Sequence, residues 1–149
     1  MSTWVFQKKH LSENFVPVEF DPEKLAVALE EQLPEAGFCL LMGSAVSGAV
    51  KAYSDIDLAF YLYKKPSYKF YGKAMDAVRS VVPNVRCDVG ILNDTELVYR
   101  FEALKGKLLF ARDMEQYAGF FSVTCREYES QMFDYEKQRR YRRACFAAE

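Results

Sequence analysis

The stretch GSAVSGAVKAYSDID, from Gly43 to Asp57, decides how the rest of the chain is read. It holds a Gly-Ser pair, Gly43-Ser44, then ten residues, then the triplet Asp55-Ile56-Asp57. On a strand, side chains alternate with a period of two, so Asp55 and Asp57 point to the same face. Carboxylates paired in this way grip hard divalent cations. A Gly-Ser turn upstream offers backbone N–H groups and a hydroxyl to phosphate oxygens. Together these are the equipment of metal-dependent phosphoryl or nucleotidyl transfer.

The flanks of that stretch supply its scaffold. Phe38–Met42 (FCLLM) is an apolar run of strand length, expected to be buried on both faces. Gly43 to Tyr53 is small and polar and reads as a turn followed by a short helix. Asp55 to Tyr63 alternates: Ile56, Leu58, Phe60 and Leu62 share one face, and Asp55, Asp57, Ala59 and Tyr61 the other. The apolar face must sit against helices, which leaves the carboxylates on an accessible one. Val85 to Leu92 forms a third strand, with Val85, Cys87, Val89 and Ile91 inward and Arg86, Asp88 and Gly90 opposite. Asp88 is therefore the third carboxylate, and Gly90 leaves room above it.

Helices fill the intervals. Asp21-Pro22 opens one by cap and first-turn proline, Leu25, Ala28, Leu29 and Leu33 follow at helical spacing, and Pro34 ends it. Residues 67–80 form a second, with Phe70, Ala74, Ala77 and Val78 inward. Asp94 is expected to cap a third, carrying Leu97, Val98, Phe101 and Leu104 and closed by Gly106 as a C-terminal glycine. Lys107–Phe110 reads as a short edge strand. From Asp113 onward Tyr117, Phe120, Phe121, Thr124, Tyr128, Met132 and Tyr135 recur at steps of three and four, which predicts one long helix whose aromatic stripe is core packing. A stripe on a terminal helix is also open to completion by a second subunit, so a homo-oligomer stays in view. Residues 1–20 read as an irregular arm or short strand.

Composition narrows the class. A chain of 149 residues, half of them hydrophobic, fits one domain that buries roughly two-thirds of its unfolded-chain surface. Twenty basic and 21 acidic residues give a net charge of −1, so no global basic field exists to hold nucleic acid. The cluster of Lys137, Arg139, Arg140, Arg142 and Arg143 reads first as a solvated terminus suited to the negative end of a helix dipole, and second as a docking patch for an acidic partner or RNA. Four scattered cysteines and one histidine, His10, make neither a zinc site nor a disulfide framework. Reduced thiols, the lack of an apolar leader and the lack of an apolar run of about 18 residues point to a cytoplasmic protein with no membrane partner.

The order of strand, Gly43-Ser44, ten residues, Asp55-Ile56-Asp57 and a later strand Asp88 (RCDVGIL) resembles the minimal nucleotidyltransferase (MNT) domain of the DNA polymerase β-like superfamily. The resemblance covers about residues 22–112. It implies an α+β nucleotidyltransferase fold: a mixed, mostly antiparallel sheet in a two-layer arrangement with helices on one face and the metal site on the other. A C-terminal helix at about 113–147 would complete a single domain over 1–149. It further implies Mg²⁺ or Mn²⁺ held by Asp55, Asp57 and Asp88, and ATP as substrate with its phosphates cradled by Gly43 and Ser44. Many relatives carry a basic residue three positions after the motif serine. This chain has Ser47 there, and Lys51 is the residue that would restore the positive contact.

By the same resemblance, members of this size act as antitoxins beside a HEPN-domain toxin and place AMP on one of its tyrosines. Two other functions remain in view. One is nucleotidyl transfer to a small molecule such as an aminoglycoside, although only about 40 residues follow the core to bind such an acceptor. The other is an antitoxin that acts by binding alone, against which three converging carboxylates speak.

Overall fold

The computed structural model describes residues 17–43, 49–51 and 55–148. Ser44 and Ser47 lie outside the described residues, and Lys51 is described by its backbone only. The first helix, α1 (Pro22–Gln32), starts as its sequence dictates: Asp21 accepts a hydrogen bond from the Glu23 amide at 2.9 Å, and Pro22 takes the first helical position. Leu25, Ala26 and Leu29 turn inward. At the far end Arg112 does the capping. Its guanidinium donates to the carbonyls of Glu30 and Leu33 at the helix end and of Ala36 at the start of the next strand, and so supplies Glu30 with the donor that Pro34 cannot.

Strand β2 (Ala36–Met42) is buried along almost its whole length and lies at the centre of a four-stranded sheet. It pairs antiparallel with β4 (Ile56–Leu62) on one side and with β6 (Lys107–Ala111) on the other. Strand β5 (Cys87–Ile91) adds parallel to β4, giving the order β5-β4-β2-β6. The sheet is thus mixed and mostly antiparallel, with β5 and β6 at its edges. A separate two-stranded ribbon joins β1 (Pro17–Glu19) to β3 (Ala49–Lys51), Pro17 opposite Lys51. The short helix expected before Tyr53 is therefore corrected: Ala49–Lys51 is extended because its backbone finds partners some thirty residues upstream, a pairing that local periodicity cannot register.

Both faces of the four-stranded sheet are packed. Against one lie α1 and α2 (Tyr68–Val81), where Leu25, Leu29, Leu33, Phe70, Ala74, Ala77 and Val78 meet Ile56, Leu58, Phe60 and Leu62. The opposite face holds Phe38, Leu40 and Ala59 under α3 (Leu97–Leu104) and the first turns of α4 (Met114–Ala148). Phe38 is its centre. Its ring stacks on Tyr61 at 5.1 Å between centroids and meets Tyr117 and Phe120 at 5.2 Å. The carboxylate-bearing face is consequently roofed from Ala59 onward, and its open part is the end that carries Asp55 and Asp57.

Two helix boundaries differ from expectation. Asp94 does not cap α3. It adopts a left-handed conformation (φ 57°) in the preceding turn, and Glu96 occupies the cap position without a side-chain bond. Its neighbour Asn93 does the structural work, exchanging two hydrogen bonds with the Leu62 backbone as an extra strand residue would. Gly106 is not a left-handed helix cap either, since its φ is not positive. It is required because a side chain there would run into the Leu41 carbonyl.

The long helix α4 has 35 residues and is capped by Asp113, which accepts from the amides of Glu115 and Gln116. At about 1.5 Å per residue it outruns the body it packs on. Its contacts extend to Tyr128, stacked on Phe101 at 3.7 Å, with Glu127 paired to Arg100. Beyond that point Phe133, Tyr141 and Phe146 are 67%, 62% and 77% exposed. Of the stripe itself Tyr117, Phe120, Thr124 and Tyr128 pack inward, whereas Phe121, Met132 and Tyr135 are exposed, so its reading as core packing holds for part of it only. No helix among the described residues is long and apolar enough to cross a membrane.

Candidate functional site

The parallel pairing of β4 with β5 brings the acidic residues together. Asp57 stands opposite Asp88 in the ladder and Ile56 opposite Cys87, and the Ile56 amide donates to the Arg86 carbonyl at 2.8 Å. Ile56, Cys87 and Val89 face the core on the α1/α2 side. Alternation therefore sends Asp55, Asp57, Arg86 and Asp88 to the other face, as two adjacent rows. The antiparallel partner of Asp57 on the remaining side is Met42, the last residue of β2. Gly43 follows at φ +69°, a left-handed conformation that glycine adopts without steric cost, so the chain leaves the strand sharply beside Asp57. A Cβ built on Gly43 would stand 3.4 Å from Asp57 Oδ2.

Of the residues singled out in the sequence, Gly43, Asp55, Asp57 and Asp88 are thus gathered at one end of the sheet. Ser44 and Ser47 lie outside the described residues, and the Lys51 side chain is not described.

The electrostatics follow from this crowding. Burial, then the Asp88 carboxylate, then that of Asp55, hold the Asp57 carboxyl above the usual aspartate range. The Cys87 thiol, behind the acidic row, is pushed up to about 12 by burial first and then by Asp88, Asp57 and Asp55. The Cys39 thiol is likewise held well above the usual thiol range, by burial first and then by Cys87. Both thiols are thereby held in the protonated form at neutral pH. Arg86 Nε lies 3.1 Å from Asp55 Oδ1, close enough for an ion pair but without hydrogen-bond alignment, so that buried oxygen accepts no hydrogen bond.

Oxygen donors that lack proton donors are what a hard divalent cation takes up. Among the described residues, no three His, Cys, Asp or Glu side chains are gathered tightly enough to enclose an ion by themselves. The arrangement suits a cation shared with a ligand, because Mg²⁺ is commonly held by one or two carboxylates plus substrate phosphates. A cleft of about 780 Å³ opens beside the acidic row, between the end of α2 and the start of β5. Met75, Arg79, Asn84 and Arg86 line it together with Asp55 and Asp88.

Two members of the site had no role assigned from the sequence. Tyr99, on α3, places its hydroxyl over Gly90, in the room that glycine was expected to leave, and its pKa is raised by burial, then by Asp88 and Asp57. Arg86 is the second. The alternation places it on the strand face of Asp88, and what the sequence lacks is its partner Asp55, just ahead of the neighbouring strand.

A family model described as "Polymerase beta, Nucleotidyltransferase" matches residues 23–115. Among curated proteins no sequence relative matches. Among solved structures the chain is similar in fold to a mutant form of the MntA–HpeT toxin–antitoxin, at a TM-score of 0.61 and 17% identity over 76% of this chain and 91% of the other. A toxin–antitoxin structure with AMP-PNP matches at 0.60 and 19% identity, over 76% and 91% of the two chains. The tri-AMPylated Shewanella oneidensis HEPN toxin in complex with MNT antitoxin matches at 0.57 and 19%, over 76% and 87%.

Proposed function

The chain belongs to the polymerase beta nucleotidyltransferase family, and from that premise we propose that it transfers AMP from ATP to a hydroxyl of a partner protein, a HEPN-type toxin that it serves as antitoxin. The observation that carries this reading is the in-register placement of Asp57 beside Asp88, with Asp55 and the Gly43 turn at the same sheet end. The nature of donor and acceptor is supported by the solved structures of similar fold, one of which holds AMP-PNP and another an AMPylated HEPN toxin. ATP as donor implies the cytoplasm as the place of work.

Asp55 and Asp57 would hold Mg²⁺ or Mn²⁺ with ATP, and Asp88 would be a third ligand. When bound, the cation neutralises the triphosphate and stabilises charge on the transferring phosphoryl group. Gly43 turns the chain so that the backbone and hydroxyl of Ser44 can meet the outer phosphates, with Ser47 and Lys51 further along the same segment. Asp88 accepts the proton of the acceptor hydroxyl. The freed oxygen then forms a bond to the α-phosphorus as the bond to the bridging oxygen breaks, and pyrophosphate leaves. The roof formed by α3 and α4 closes the far part of the face, so the acceptor must enter from the open end, where another protein can present a side chain in line.

Two measurements test this assignment. Co-expression with the neighbouring gene product, followed by intact-mass determination, is expected to show one or more nucleoside monophosphates added to that partner. An unchanged partner mass, with an Asp55→Asn variant still suppressing toxicity, would show that the protein acts by binding alone. Asp88→Asn is expected to slow transfer about 100-fold or more, the scale of a lost general base, while calorimetry still detects metal–ATP binding. Loss of that binding would make Asp88 chiefly a ligand, and unchanged turnover would remove it from the site.

A further inference from the structure

Along the acidic face the two parallel strands set out opposed pairs. Asp57 beside Asp88 is a pair of like charges, while one step earlier Asp55 stands beside Arg86, a pair of opposite charges. The Arg86 contact with Asp55 is Coulombic rather than directional. Nε approaches Oδ1 to 3.1 Å, yet that oxygen accepts no hydrogen bond although it is shut off from solvent. The Arg86 side chain is itself 81% exposed, so packing does not fix it in place. A pair this exposed is weak and exchangeable. The adjoining cleft gives a long side chain room to swing without moving the backbone.

A cation at Asp55 and the guanidinium of Arg86 want the same oxygen, and they repel one another. Binding a divalent ion must therefore displace Arg86. A triphosphate arriving with that ion carries enough negative charge to receive it. The planar fork of arginine donors matches phosphate oxygens, and the strand that holds Arg86 keeps it at the edge of the site. We propose that Arg86 is the resident counter-cation of this site: it neutralises Asp55 in the free protein, yields Asp55 to the incoming divalent cation, and turns onto the phosphates of the nucleotide. The inference rests on the nucleotidyltransferase reading of Asp55, Asp57 and Asp88. It adds to that reading a positioning residue that couples metal entry to nucleotide capture.

The coupling predicts opposite signs for two ligands in one variant. Mn²⁺ binding to the full chain is followed by electron paramagnetic resonance, first alone and then with a non-hydrolysable ATP analogue. Arg86→Gln removes the competitor, so Mn²⁺ alone is expected to bind roughly two- to fivefold more tightly, the strength of an exposed ion pair. The analogue with Mn²⁺ is expected to bind about tenfold more weakly, as the loss of a charge-assisted contact requires. Arg86→Lys keeps the charge and should return Mn²⁺ affinity toward wild type while recovering only part of the nucleotide affinity. If Arg86→Gln leaves Mn²⁺ affinity unchanged or lower, or leaves analogue binding intact, the counter-cation role is overturned. Asp55→Asn separates this from the underlying reading. Its loss of analogue binding upholds the site whatever Arg86 does, whereas wild-type binding by Asp55→Asn sinks both.

Discussion

Replacing Asp57 by Asn is expected to reduce nucleotidyl transfer at least ~100-fold, the scale on which an active site loses one group that manages transition-state charge. The same change should leave the ligand-free fold at least as stable as wild type. The two effects share a cause. Asp57 is partly buried and faces Asp88 and Asp55, so its carboxyl is held above the normal aspartate range in the folded state. A carboxyl with a raised folded-state pKa costs stability at any pH where it is ionised in the unfolded chain. A neutral isostere removes that cost, and with it the charge a divalent cation would take up. Thermal unfolding at neutral pH without metal is expected to show an unchanged or higher Tm for Asp57→Asn, alongside lost transfer and lost metal–ATP binding by calorimetry. A lower Tm would mean that Asp57 serves the fold, and undiminished transfer would remove it from the chemistry.

Phe38→Ala is expected to be the costliest single change in the scaffold. The ring is fully buried at the centre of β2, stacked on Tyr61 and bounded by Tyr117 and Phe120, so truncation leaves a cavity that three rigid rings cannot collapse to fill. Large aromatic-to-alanine changes in cores cost about 3–5 kcal/mol, and lost aromatic contacts add to the area term. That is a large share of the stability of a chain this size. Urea unfolding gives the value. A cost below about 1 kcal/mol would show that α4 does not rest on the sheet as described.

Much of this architecture was legible in the residues because the deciding patterns are local. Asp21-Pro22 starts α1, the alternation from Ile56 to Leu62 assigns faces, and Cys87 to Ile91 repeats that alternation with Asp88 on the outer side. Those two alternations sufficed to place Asp55, Asp57 and Asp88 on one side. They did not reveal that β4 and β5 run parallel and in register, which turns a shared face into direct neighbours. What stayed hidden depends on distant partners. The extended form of Ala49–Lys51 needs β1, the need for Gly106 comes from Leu41 on another strand, and Tyr99 reaches Gly90 from a helix that follows it. The second half of α4 misled for a related reason, since a periodic stripe shows which residues share a side but not whether anything lies there.

The position of β5 at the sheet edge gives the three carboxylates unequal lifetimes. Asp57 sits on a strand flanked by β2 and β5, whereas the five-residue strand that holds Asp88 is, among the described residues, bonded along one side only. Edge elements open locally at lower free energy than the strands between them. Excursions that unzip β5 would carry off Asp88 and Arg86 while Asp55 and Asp57 stay anchored in the centre. Asp55 and Asp57, proposed to hold the cation with Asp88, and Asp88 in its proposed role as base therefore stand on segments expected to open at different free energies.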